Sequence, residues 1–244
     1  MNKNLFFPET ADIETSSEEY ASRFNGEVGE WFLKVQEQAT LKMLASYKGA
    51  TILDVGGGHG QLTGALISKN YRVTVLGSAE VCKARIQNYL DDKSCSFEVG
   101  NILDLPFEDR EFDVVISFRL LAHVNKWQEF LFELTRVASQ SVIIDYPEFR
   151  SFNALTPYFY DYKKKIEGNT RQYTIFRESD LLKVFRAIKF IRESKFAEFF
   201  LPMALHRKLD SPRISMTIEE ISRSLGLSGL FGSPIILKMI RSKD

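Results

Sequence analysis

The segment Thr51-Ile-Leu-Asp-Val-Gly-Gly-Gly-His-Gly60-Gln-Leu-Thr63 constrains the fold more than any other stretch of the chain. An apolar strand pattern runs straight into Gly56, Gly57, Gly58 and Gly60, and a helical pattern follows. Bare backbone turns tightly and lets a flat ligand lie against the main chain, because no Cβ bars the approach. Four glycines in five residues exceed what a tight strand-to-helix turn requires. A dinucleotide site asks for G-x-G-x-x-G, which would put glycine at 61, where Gln61 stands. The spacing here is Gly56-x-Gly58-x-Gly60.

Short β-rich runs alternate with amphipathic helical ones, the signature of a parallel sheet with crossover helices. Strands are expected at 51–55, 71–76, 96–100, 112–117, 141–146 and 235–240. The last follows Gly232-Ser233-Pro234, and a strand led in by proline belongs at a sheet edge or next to it. Helical spacing covers 17–24, 29–47, 80–90 and 128–138; in the last, Phe130, Leu131, Leu134 and Val137 share one face. Thr217 and Glu220 have capping-box spacing, and Gly226 is a natural helix stop. The expected fold is α/β and Rossmann-like: a doubly wound, seven-stranded, mostly parallel sheet with an antiparallel strand near the C-terminus. Residues 1–244 read as a single domain. Within it lie a helical flap at 1–46, a core at 50–146, an aromatic lid at 147–176 and a C-terminal part at 177–244.

Charge excludes some functions. With 32 Lys+Arg against 32 Asp+Glu, the chain has no overall pull on a polyanion, so no nucleic-acid partner is expected. The neutrality hides a division: residues 1–150 carry 15 basic and 22 acidic side chains, and residues 151–244 carry 17 and 10. The nearly apolar run 114–124 holds Ser117, Arg119 and His123 and is too short to span a bilayer, so no membrane association is expected. The absence of an apolar leader and the two cysteines, Cys82 and Cys95, suit a reduced, cytoplasmic enzyme without a bound metal.

The glycine spacing, with Asp54 two residues before the first glycine, resembles motif I of class I S-adenosylmethionine-dependent methyltransferases of the type 11 kind. The likeness continues in order through Gly100-Asn-Ile-Leu-Asp-Leu-Pro-Phe107, Phe112-Asp-Val-Val-Ile-Ser117, Leu121-Ala-His-Val124 and Glu133-Leu-Thr-Arg-Val137. It implies S-adenosylmethionine as cofactor, with Asp54, Gly56, Gly58, Gly60, Gly77, Ser78, Asn101, Ile102 and Phe118 around it. In that family a carboxylate after the second strand takes the ribose hydroxyls; the matching position here is Gly77, with Ser78 and Glu80 beside it. Asn101 replaces the more usual Asp, and its carbonyl oxygen still accepts a hydrogen bond from an adenine amino group. Tyr20, Arg23 and Phe24 would close over the methionine end.

Methyl transfer is a direct displacement that demands alignment and exclusion of water more than a fixed catalytic group. His123 is the candidate base; the competing reading is a structural histidine at a helix start. Tyr146, Tyr158, Arg171 and Tyr173 are candidates for a small-molecule acceptor pocket, with Arg171 suited to an anionic acceptor. Two other readings stand beside this one: a non-catalytic relative acting as a binding or regulatory protein, and an NAD-dependent oxidoreductase.

Overall fold

A computed structural model describes residues 7–151 and 174–242. Three helices come first: α1 (Ala11–Thr15), α2 (Glu18–Ser22) and α3 (Gly26–Leu44). Strand β1 (Thr51–Val55) then opens an alternating series: α4 (Thr63–Ser68), β2 (Arg72–Gly77), α5 (Gln87–Asp91), β3 (Cys95–Val99), β4 (Phe112–Ser117), α6 (Trp127–Val137) and β5 (Ala138–Tyr146). After residues 152–173 come α7 (Glu178–Ala187), β6 (Phe190–Ala197), α8 (Met203–Leu209), α9 (Pro212–Ser224), α10 (Leu227–Phe231) and β7 (Ile235–Arg241). The strands form one seven-stranded sheet in the order β3-β2-β1-β4-β5-β7-β6. The first five are parallel, and β7 runs antiparallel to both neighbours.

The sheet has a core on each face, and the period of two along a strand decides which residue enters which. Leu53 and Val55 face α6 and α7, joining Val115, Leu131, Leu134 and Phe185; Ile52 faces α3 and α4, joining Leu44, Leu66, Val73 and Ile116. A smaller cluster of Tyr20, Phe24, Val28, Phe32 and Phe199 ties the N-terminal helices to the chain after β6. Thr51 and Asp113 lock β1 to β4: the Thr51 N–H and Oγ1–H donate to Asp113 Oδ2 at 2.9 and 3.0 Å. Strand order reverses between β1 and β4, the point where open α/β sheets leave a crevice beyond the strands' carboxyl ends.

The differences from expectation have local causes. The stretch expected as a helix over 80–90 is a 3-10 helix at Glu80–Ile86 followed by α5, because its first turns pack directly on the glycine loop. Thr217 and Glu220 lie inside α9, whose N-cap is Ser211; the Thr217 hydroxyl donates back to the Arg213 carbonyl. Gly226 does end that helix, with φ +75° and its N–H on the Arg223 carbonyl. Strand β6 has no apolar alternation to announce it, since Arg192, Glu193 and Lys195 give it the charged exterior of an edge. Strand β7 sits one place in from that edge, beside it as the proline suggested. Among the described residues, no helix is long and apolar enough to cross a membrane.

Candidate functional site

Strand β1 ends at Val55, and the chain turns through Gly56 (φ +78°), a 3-10 turn at Gly57–His59, and Gly60 (φ +69°). The Gly56 N–H donates to the Leu76 carbonyl at 2.8 Å, which holds the loop on the end of β2. Gly57 and Gly58 have ordinary φ; they are glycines because a Cβ has nowhere to go. At Gly57 it would stand 2.1 Å from the Asp54 carboxylate, and at Gly58 2.2 Å from the Cys82 carbonyl oxygen. The loop is a cradle of bare backbone at the switch point of the sheet, the kind of surface a flat cofactor needs.

Asp54 lies under this loop, fully buried, with no hydrogen-bond partner for either oxygen among the described residues. Burial pushes its carboxyl up to about 7. The folded chain therefore binds a proton that the unfolded chain has released above about pH 4, so this group's contribution to stability falls as pH rises from 4 to 7. Asp54→Asn removes the ionisation penalty, which is about 4 kcal/mol at most for a shift of about three pH units. The variant is expected to have a higher urea midpoint than the parent at pH 8 and a similar one at pH 4. Equal midpoints at pH 8 would show that the carboxylate carries no such penalty.

At the end of β2, Gly77 leaves no room for a side chain: a Cβ would meet Cys82 Cβ at 2.7 Å and the Phe97 ring at 3.0 Å. A carboxylate from α1 packs against the residues that follow Gly77. Asp12 Oδ2 accepts from the Ser78 N–H at 2.6 Å and from Cys82 Sγ at 3.4 Å, while Oδ1 accepts from Ser78 Oγ at 2.6 Å. After β3, Asn101 Oδ1 accepts from the Leu103 N–H at 3.0 Å, so one lone pair of the amide is used locally. Ile102 is buried with Leu53 and Leu76 on one face of the sheet, and Phe118 is buried with Leu62 and Ile116 on the other.

Beyond β4 the chain makes a polar centre that sequence reasoning missed. Arg119 has φ +59°, and its N–H donates to Asp145 Oδ1 at 2.6 Å. Its guanidinium donates to Gln61 Oε1 at 2.9 Å and Gln36 Oε1 at 2.5 Å, and lies 4.3 Å from the centre of the Phe24 ring. Burial raises the Asp145 carboxyl to about 6, with Arg119 opposing. Burial raises Glu198 to about 8, again against Arg119, and neither of its oxygens has a hydrogen-bond partner among the described residues. Tyr20 hydrogen-bonds Arg119, and burial raises its hydroxyl. Glu198 also lines a groove of about 700 Å³ between α3, β6 and α9, whose apolar wall includes Trp31, Val35, Phe196 and Met216.

The histidines divide. His59 is buried, its imidazole pushed down to about 3 by burial and by Arg119 and Arg85, and its Nδ1 accepts from the Gln61 N–H at 3.2 Å. It is a neutral structural ring. His123 is half-buried at the end of the 3-10 turn Leu121–His123. Tyr146 is buried at the end of β5 with its ring edge to Phe176, and burial, then Glu178 and Glu148, raise its hydroxyl. Tyr158, Arg171 and Tyr173 lie outside the described residues, as does most of the aromatic stretch expected as a lid. Among the described residues, no group of three His, Cys, Asp or Glu side chains is placed to hold a metal. Arg119 stands out in the sequence only as a charge inside an apolar run, and Asp12 and Glu198 carry no local signal at all.

The methyltransferase domain family model matches residues 53–144, from β1 to β5. Among curated proteins, the chain is 32% identical over 110 residues to 24-methylenesterol C-methyltransferase 2 of Arabidopsis thaliana, covering 43% of this chain and 30% of that one. It is 35% identical over 112 residues to norajmaline N-methyltransferase of Rauvolfia serpentina, covering 41% and 37%. The chain thus spans about a third of the length of these relatives. Among solved structures, magnesium protoporphyrin IX methyltransferase from Synechocystis with bound S-adenosylhomocysteine superposes with a TM-score of 0.63. That pair is 16% identical, with 95% of this chain and 98% of that one covered. A possible histamine N-methyltransferase from Thermotoga maritima superposes with a TM-score of 0.64 at 14% identity, covering 95% and 99%.

Proposed function

We propose that this chain, whose residues 53–144 match the methyltransferase domain family model, transfers a methyl group from S-adenosylmethionine to a small-molecule acceptor. The observation that carries the reading is the bare-backbone cradle at Gly56–Gly60, set at the point where strand order reverses. The main chain of Gly56, Gly58, Gly60 and Gly77 would hold the cofactor, with Ser78 and Asn101 supplying polar contacts. Asp54, Ile102 and Phe118 support that surface from below. When bound, the cofactor supplies an electrophilic methyl group on a sulfonium, and the protein's part is alignment and exclusion of water.

The acceptor side of the crevice is the centre built by Arg119, Asp145 and Glu198. Near neutral pH the Asp145 carboxyl, raised to about 6, is mostly ionised and can take a proton from a hydroxyl or ammonium acceptor, whereas Glu198, raised to about 8, is mostly protonated and can donate a hydrogen bond instead. His123 remains the other candidate base, and Tyr146 closes the floor. The surplus positive charge of residues 151–244 supports an acceptor that carries negative charge. Matched relatives act on a sterol and on an alkaloid, so they do not converge on one acceptor class.

Titration calorimetry with S-adenosylmethionine, S-adenosylhomocysteine and NAD tests the reading. Saturable binding of the first two and none of NAD is expected; binding of NAD alone would overturn it. The burial of the glycine loop beneath α1 favours a second reading, a non-catalytic relative. That reading expects no affinity for S-adenosylhomocysteine, or affinity without turnover over an acceptor library.

A further inference from the structure

The outer face of the glycine loop is covered by the chain's own N-terminal residues. Gly56, Gly57 and Gly58 are all buried. A Cβ on Gly56 would stand 2.6 Å from Leu120 Cδ2 and 3.5 Å from Asp12 Cβ, and one on Gly58 would stand 2.6 Å from Ser16 Oγ. Asp12 is fully buried, and both of its oxygens already accept hydrogen bonds from Ser78 and Cys82. Glu9 anchors the segment on its other side, its Oε1 accepting from the N–H groups of Asn125 and Lys126 at 2.9 and 3.2 Å. Ala11 completes the seal within the core that holds Val55, Leu76 and Leu120.

A ligand lying along this backbone and a ribose meeting Ser78 would need the volume that Asp12 and Ser16 fill. We propose that residues 9–16 are a hinged plug that occupies the cofactor's place and must swing out to admit it. The inference rests on the cofactor reading above. The contacts suit a reversible device: apart from the small Ala11 side chain they are two carboxylates on main-chain, hydroxyl and thiol donors, each of which finds water as a replacement partner when released. The natural hinge is Ser17, which lies just beyond the end of α1 and caps α2 by accepting from the Tyr20 N–H at 3.1 Å. A plug lowers apparent affinity by the fraction of molecules that are open, so weakening its anchor tightens binding without touching the ligand.

The test compares the full chain with its Asp12→Ala variant by titration calorimetry against S-adenosylhomocysteine. The variant is expected to bind about tenfold more tightly, as for a parent open about a tenth of the time. Hydrogen exchange on the unaltered chain gives a second reading that needs no variant: the amides of residues 11–17 are expected to exchange faster once S-adenosylhomocysteine is added. Binding by the parent with equal or weaker binding by Asp12→Ala would overturn the plug and leave the cofactor reading intact. Weaker binding would make Asp12 a ligand of the cofactor. Slower exchange at 11–17 would overturn the plug as well, because it would mean that α1 closes over the ligand. Failure of both proteins to bind would overturn the cofactor reading, and the plug with it.

Discussion

Arg119→Ala is expected to lower the stability of the chain by about 1.5–3 kcal/mol, the range for losing hydrogen bonds made by a charged group to buried partners. Its guanidinium is the donor to Gln36 Oε1 and Gln61 Oε1 and packs on the Phe24 ring, so the loss strands two amides and opens space against α3. It is also the cation that opposes the upward shifts of Asp145 and Glu198. Without it both carboxyls rise further. A carboxyl raised in the fold loses stability as pH climbs from its unfolded value to its folded one, so the decline with pH should extend further into the alkaline range. Urea unfolding between pH 5 and 9 reads both effects. A variant within 1 kcal/mol of the parent at pH 7 would show that this centre does not hold the crevice together.

Gly58→Ala is the second large effect. The new methyl group would stand 2.2 Å from the Cys82 carbonyl oxygen, a main-chain atom in the 3-10 helix after β2, which cannot rotate away as a side chain would. Overpacking of this kind costs about 1–3 kcal/mol and more when backbone must shift. The expected result is a fall of about 3 kcal/mol in unfolding free energy. Gly229→Ala is the control, since nothing lies within 4 Å of a Cβ there, and it should be neutral or slightly stabilising. Equal urea midpoints for Gly58→Ala and the parent would refute the close packing of the loop.

These two residues mark the limit of what the sequence discloses. The glycines and the strand before them are legible because a bare-backbone turn leaves a compositional trace, and Val- and Ile-rich strands covered on both faces leave another. The parallel half of the sheet and the place of β7 follow from those signals. Strand β6 escapes because an edge strand is selected for charge and so loses its apolar rhythm. Arg119 and Asp12 escape for a different reason. Asp12 meets Ser78 across 66 positions and Arg119 meets Gln36 across 83, so neither has a local pattern to declare its partner. Gly77 shows both limits at once. The sequence puts glycine where the resembled family carries an acid, but only the packing of Cys82 and Phe97 shows that no side chain fits there, and only the fold brings Asp12 onto Ser78.

The sheet order carries a consequence for how the molecule is made. Strand β6 leaves the ribosome before β7, yet among the described residues its strand partner is β7, which must also pair with β5 on its other side. Residues 190–197 therefore pack on α7 without a strand partner until residues 235–241 arrive, and through that interval β5 presents an open edge. A nascent chain stalled between these two points would carry two unpaired strand edges, the exposed state in which chaperones bind and neighbouring chains aggregate.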